Sequence, residues 1–327
     1  MTIIVTGAAG FIGFHVSRAL LARGETVVGI DNLNDYYAVT LKQARLAQLT
    51  GYPGFTFHQA DIADRAAIAA IFAASGSVTG IVHLGAQAGV RYSLENPYAY
   101  VDANVMGQVV LYEAARHAKD LRHFVYASSS SVYGRNTELP FSIDHRVDKP
   151  VSLYAATKKA GEMIAHTYAH LYRIPTTGLR FFTVYGPWGR PDMATYLFAD
   201  AIMAGRPIKV FNHGDMRRDF TYIDDIVAGV LGALDHPPAE GVDGAPPWRV
   251  YNLGNSKTEQ LSDLIEAVES ALGRKAVKEM LPMQPGDVQE TSADIAASRR
   301  DLGFDPKTTI AEGVPRFADW YLSYHKA

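Results

Sequence analysis

Gly7-Ala8-Ala9-Gly10-Phe11-Ile12-Gly13 stands between a short apolar run, residues 3–5, and a segment with Phe11, Val16, Ala19 and Leu20 at helical spacing. A glycine loop in that setting has a mechanical meaning. One glycine makes the tight turn, another lets the backbone approach a pyrophosphate, and a third lets the helix lie close on the strand with its N-terminus facing the phosphates. The spacing is G-x-x-G-x-x-G rather than G-x-G-x-x-G. The chain must therefore begin as a strand–turn–helix unit. Gly7, Gly10, Phe11, Ile12 and Gly13 are read as contacts for a dinucleotide.

The alternation continues beyond this unit. Strands are expected at 26–30, 55–58, 81–84, 124–127 and 177–182, and helices at 40–49, 66–74, 98–118 and 154–172. Near-continuous apolar strands alternating with helices imply an α/β protein with a Rossmann-type, doubly wound parallel sheet covered on both faces. The pattern loosens after residue 182. A helix at 196–204, a strand at 208–211, a hairpin-like turn around Gly214, helices at 226–234 and 261–272 and a strand at 250–253 follow. Residues 235–247 hold four prolines and two glycines and read as a surface loop. A chain of 327 residues is long enough for two lobes. We expect residues 1–180 to bind the dinucleotide and 181–327 to form a smaller mixed α/β substrate lobe, with residues near 224–255 packing back on the first.

Asp31 ends the second strand, where an acid can bind the adenosine ribose 2′-hydroxyl. Asn32, Leu33 and Asn34 follow it, with no immediate arginine for a 2′-phosphate, which favours NAD over NADP. Lys42 and Arg45 lie further on, and Lys42 is counted with Asn32 among the cofactor contacts. Asp61 and Ile62 end the third strand; Asp61 would flank the adenine or cap the next helix. Leu84-Gly85-Ala86-Gln87 follows the fourth strand and is small enough to let a cofactor pass. Asn104 would anchor backbone near the nicotinamide or serve as a satisfied polar group.

Tyr154 and Lys158 are four apart and so share one face of a helix. A nearby ammonium favours a phenolate, and a phenolate can take the proton of an alcohol. The spacing alone is weak in a chain with 18 tyrosines. Context strengthens it: Ser128-Ser129-Ser130-Ser131 ends an apolar strand, where ligands bind in doubly wound sheets. A serine there can share a hydrogen bond with the reacting alcohol.

Other classes are disfavoured. A net charge of −3 gives no sign of a nucleic-acid binder or a membrane-surface binder. Cysteine is absent, which removes disulfides, thiolate metal sites and cysteine nucleophiles. His166 and His170 are four apart but have no third ligand in the pattern, so no metal is expected. The N-terminus lacks a basic segment before a long apolar run, and no stretch reaches the ~20 apolar residues of a membrane span. A cytoplasmic protein is expected.

The glycine loop, Asp31, the serine-rich strand end and Tyr-x-x-x-Lys, in that order, resemble the extended short-chain dehydrogenase/reductase family, and within it nucleotide-sugar epimerases over essentially the whole chain. Residues 31–37, 83–91, 180–193 and 218–222 resemble bacterial UDP-glucuronate 4-epimerases. The resemblance implies NAD as cofactor and a UDP-uronic acid as substrate, epimerised through a 4-keto sugar. It implies Tyr154 as base, Lys158 on the nicotinamide ribose and lowering the tyrosine pKa, and Ser129 as the assisting hydroxyl. It further implies Ser130, Thr183 and Arg91 near the carboxylate, Arg190 and Arg218 on the diphosphate, Phe211 beside uracil and Asp287 on the uridine ribose. Gln284 departs from the arginine usual in UDP-glucose 4-epimerases. The alternatives are a UDP-glucose-type 4-epimerase and a UDP-glucuronate decarboxylase. A non-catalytic NAD-binding regulator is disfavoured because Tyr154, Lys158 and Ser129 are all kept. The resemblance also implies a homodimer through 98–118 and 154–172, with Tyr100, Val109, Tyr112, Ile164, Tyr168 and Leu171 as surplus apolar surface.

Overall fold

The computed structural model describes residues 1–284 and 288–326. Six strands open the chain: β1 (Thr2–Thr6), β2 (Thr26–Asp31), β3 (Phe55–Gln59), β4 (Val78–His83), β5 (His123–Ser129) and β6 (Thr176–Phe181). They form one sheet with the later strand Trp248–Leu253, in the order Trp248–Leu253, β6, β5, β4, β1, β2, β3, and every pairing is parallel.

The apolar runs explain the layering. Side chains alternate faces along a strand. Ile3 and Val5 of β1 enter one buried cluster with Phe14, Leu20, Val27 and Ile226. Ile4 enters a second, on the other face, with Ile68, Ile81, Leu111 and Phe124. Helices therefore cover both faces. From β1 the chain winds outward through β2 and β3, then returns to place β4 on β1's other side. That reversal opens a crevice at the carboxyl ends of the strands, the position where such sheets bind ligands.

After β6 the chain leaves the sheet. Thr183–Tyr185 pairs in parallel with Phe220–Tyr222, Ile208–Val210 in parallel with Lys278–Met280, and Arg217–Arg218 antiparallel with Glu259–Gln260. The hairpin expected around Gly214 does not form. Asn212 and His213 adopt left-handed backbone, which turns the two flanking strands toward different partners.

The helix expected at 98–118 is a composite. Pro97–Tyr100 and Gly107–Ala115 are α-helical, and Val101–Met106 between them is a π-helix. Such stretches concentrate at functional sites, and apolar periodicity does not reveal them.

Candidate active site

Thr6, Asp31, His83 and Ser129 end β1, β2, β4 and β5 and line one edge of the sheet. The glycine loop joins β1 to α1 (Phe11–Ala22). Gly10 caps this helix with no side-chain hydrogen bond, and no acid stands in its first turn. A Cβ at Gly13 would lie 2.0 Å from the Gly7 carbonyl oxygen, so only glycine permits this approach of helix to strand. The helix N-terminus is left as a cradle of backbone N–H groups, which fits a pyrophosphate.

Asp31 is buried and accepts from Ala9 N at 3.2 Å and Leu33 N at 2.9 Å. Burial raises its pKa, against the pull of those bonds and of the Lys42 and Arg45 charges. Both cations are committed elsewhere. Lys42 Nζ donates to Asn34 O and Oδ1, each at 2.7 Å, and Arg45 donates to Ala9 O, Tyr37 Oη, Trp188 O and Gly189 O. An acid with no uncommitted cation among these neighbours suits a ribose hydroxyl and opposes a 2′-phosphate.

Asn32 Nδ2 donates to Asp61 Oδ2 at 2.9 Å. Asp61 is not the helix cap. Asp64 is, accepting from Ala66 N and Ala67 N ahead of the helix Arg65–Ala74. Ile62 is buried, and a Cβ at Gly107 would meet it at 2.6 Å, so its side chain serves as packing.

The loop after β4 is held from two sides. Gly85 N donates to Thr6 Oγ1 at 3.0 Å, and Leu84 N to Thr6 O at 3.2 Å. Asn104 Oδ1 accepts from Gln87 N at 2.8 Å, while its Nδ2 donates to Gln87 O and to Thr157 Oγ1. Asn104 sits in the π-helical stretch and thus clamps this loop, with Ala86 inside it, to the helix that carries Tyr154.

That helix runs Leu153–Tyr172 and is capped by Ser152, which accepts from Ala155 N. Tyr154 stands half-buried at its start, edge-on to Tyr100 at 6.1 Å between ring centroids. Burial raises the Tyr154 pKa, while a hydrogen bond with Ser129 and the Arg190 charge pull it down. Lys158 is buried, donates to Ala127 O at 3.0 Å, and lies with Nζ 6.0 Å from the Tyr154 ring centroid. Burial and the Arg190 charge push its own pKa down to about 8. The four-residue spacing predicts a lowered tyrosine pKa from this lysine. In the structure burial outweighs the Ser129 hydrogen bond and the Arg190 charge, and the tyrosine pKa is raised.

Ser130 opens a 3-10 turn whose cap is Ser129, and Ser129 Oγ lies 3.2 Å from Ser131 Oγ. Thr183 begins the short strand beside the main sheet. Arg190 is paired through two nitrogens with Asp192, at 2.9 and 2.5 Å. Arg91 stacks over the Phe211 ring at 5.0 Å, which brings two expected substrate contacts together. Arg218 Nη1 donates to the Arg217 and Gln289 carbonyl oxygens. Asp287 lies outside the described residues.

Two supporting groups escaped sequence reasoning. Glu162, one turn beyond Lys158, is buried and accepts from Arg180 Nε at 2.8 Å, Arg180 Nη2 at 2.9 Å and Ser128 Oγ at 2.7 Å. It therefore ties the Tyr154 helix to β5 beside Ser129. The only available signal was its place on the Tyr154–Lys158 face. Asp219 is fully buried beside Arg218 and accepts from Asn255 N, Ser256 N and Ala293 N. Burial outweighs those bonds and pushes its pKa up to about 6.

The profile of the NAD dependent epimerase/dehydratase family matches residues 3–254. UDP-glucuronate 4-epimerase 3 of Arabidopsis thaliana is 50% identical over 99% of this chain and 77% of its own length. The probable UDP-glucuronate 4-epimerase of Rhizobium meliloti is 49% identical over 100% of this chain and 99% of its own. Among solved structures, UDP-glucuronic acid 4-epimerase from Bacillus cereus, in complex with UDP-glucuronic acid and NAD, is similar with a TM-score of 0.89. It is 35% identical and covers 99% of this chain and 100% of that one.

Proposed function

The chain belongs to the NAD-dependent epimerase/dehydratase family, and from that premise we propose that it interconverts UDP-glucuronate and UDP-galacturonate by epimerisation at C4″. One observation carries the reading: Ser129, Tyr154 and Lys158 meet at the sheet edge that also holds the glycine loop and Asp31. Relatives named for this reaction match nearly the whole chain at about half identity.

The glycine-loop N–H groups would hold the NAD pyrophosphate, Asp31 the adenosine ribose and Lys158 the nicotinamide ribose. When bound, the cofactor supplies reversible acceptance of hydride from C4″. Tyr154 takes the 4″-hydroxyl proton, and Ser129 shares the hydrogen bond to that oxygen. Once the keto sugar has turned its other face, the hydride would go back to C4″ from the opposite side and Tyr154 would return the proton to the 4″-oxygen, which completes the inversion. The uronate makes this intermediate a β-keto acid, prone to lose CO₂. Thr183, Ser130 and Arg91 then hold the carboxylate in a poor alignment for that loss. Residues 1–180 serve the dinucleotide and 181–327 the nucleotide sugar, with Phe211 beside uracil and Arg190 and Arg218 on the diphosphate.

Incubation with UDP-glucuronate, followed by NMR, is expected to yield UDP-galacturonate. A UDP-pentose with CO₂ would overturn the reaction, and an unchanged sugar would overturn the substrate.

We also read the protein as a cytoplasmic homodimer. Among the described residues no helix is long and apolar enough to cross a membrane. Tyr100 and Tyr112, expected as surplus surface, are fully buried within the chain. Leu171 is exposed as expected, and the other exposed large apolar residues on those helices are Tyr98, Val101, Met106, Met163 and Tyr172. Sedimentation at micromolar concentration should give a dimer, and a monomer there would sink this reading.

A further inference from the structure

Two loops on opposite sides of the crevice touch. The loop after β2 carries Tyr36, and the loop after the short strand Thr183–Tyr185, which follows β6, carries Asp192. Tyr36 Oη donates to Asp192 Oδ2 at 3.0 Å. In the sheet, β1, β4 and β5 lie between β2 and β6, four strand spacings or roughly 19 Å. A contact between those loops must cross the crevice in which a dinucleotide lies.

The path of Tyr36 agrees. A Cβ at Gly89, in the loop after β4, would lie 2.3 Å from its hydroxyl, so this side chain passes directly over the middle of the sheet edge. Its ring packs on Tyr92, 4.9 Å between centroids. A second link runs beside it. Arg45, fully buried, donates on one side to the glycine-loop carbonyl Ala9 O at 2.9 Å. On the other it donates to Trp188 O at 2.7 Å and Gly189 O at 3.2 Å. His15 of α1 bonds Pro187 O at 2.9 Å. The segment that leads to Arg190 and Asp192 is thus fastened to the cofactor half at three points.

We propose that Tyr36 and Arg45 are cofactor-retention residues: with Asp192, Trp188 and Gly189 they close a bridge over the dinucleotide groove, so that bound NAD exchanges only when the bridge opens. The chemistry tolerates this closure, because epimerisation regenerates the cofactor at every turnover and requires no exchange. The inference rests on family NAD binding and is independent of which sugar is turned over.

The test follows isotopically labelled NAD⁺ entering the NAD-loaded protein, read by mass spectrometry. A hydrogen bond from a neutral donor to a carboxylate holds a state closed by about tenfold or more. Tyr36→Phe should exchange about tenfold faster than the wild type while keeping its thermal midpoint, and Asp192→Asn should exchange at least as fast with a lower midpoint, because it also loses the Arg190 ion pair. A side chain with only a structural role would move the midpoint and leave the exchange rate alone. Arg45→Lys should also speed exchange but lower the thermal midpoint, since an ammonium cannot replace the buried guanidinium's bonds, and Tyr36→Phe, which removes one oxygen, keeps the test decisive. Exchange at the wild-type rate in folded Tyr36→Phe and Asp192→Asn overturns the proposal. Loss of NAD from the wild-type protein on gel filtration also overturns it.

Discussion

Tyr154→Phe is expected to lower turnover by about 10²–10⁴-fold while the protein still binds NAD. The substitution removes the hydroxyl proposed to accept the 4″-hydroxyl proton and leaves the ring. The edge contact with Tyr100, the Ser152 cap and the helix are untouched. The glycine loop and Asp31 lie on other elements, so NAD bound per chain should match the wild type. Loss of NAD along with activity would instead indicate a folding defect, and activity within tenfold of wild type would remove Tyr154 as the base. The pH dependence has a definite sign. Burial holds the tyrosine pKa above its ordinary value of 10.0, and the proposed reaction uses the deprotonated form. Wild-type turnover should rise with pH through the neutral range, and the residual turnover of the phenylalanine variant should lose that rise.

Glu162→Ala should be the most destabilising single change near the site. Glu162 and Arg180 are 1% and 3% exposed, and alanine would leave the guanidinium charged and buried with Tyr133 Oη at 3.0 Å. Breaking such a pair costs about 3–5 kcal/mol. For a chain of 327 residues that is a fall of about 4–7 °C in thermal midpoint. Burial raises the Glu162 pKa, but the Arg180 bonds and charge, with Lys159 and Ser128, hold it below its ordinary 4.5. A lowered folded-state pKa contributes stability above 4.5 that is lost as pH falls through the folded value. The wild-type and variant midpoints should therefore differ most near neutrality and converge below pH 4.5. A constant gap across that range would show that the pair's charge does not act. Because Glu162 accepts from Ser128, next to Ser129, and lies on the helix that carries Tyr154 and Lys158, turnover should fall as well.

Much of the fold was legible because its signals are local. Apolar runs with alternating burial required strands, 3.6-residue spacing required helices, and the glycine loop required a strand–turn–helix start. Asp31, Ser129 and Tyr154 could be placed because strand ends in a doubly wound sheet converge on one crevice. Reading failed where neighbours in space, not in sequence, decide. The π-helical stretch around Asn104 has no signature in apolar periodicity. Asp64 rather than Asp61 caps the third helix, since the chain makes one more turn before helical geometry begins. The turn at 212–214 looked like a hairpin because glycine and polar residues mark a reversal without naming the strands that pair.

From sequence alone came the sheet class, the glycine loop after the first strand, the acid that ends the second and the Ser–Tyr–Lys constellation, because each is a short pattern tied to one element. Only the tertiary structure decided which charges are committed and what holds the site together. Lys42 and Arg45 are bound to carbonyl and hydroxyl oxygens, Glu162 meets Arg180 18 residues away, and Tyr36 meets Asp192 156 residues away. Those partners depend on where β6 and the loop after it return over the crevice. No local pattern encodes that return. It follows from burying both faces of one sheet at once.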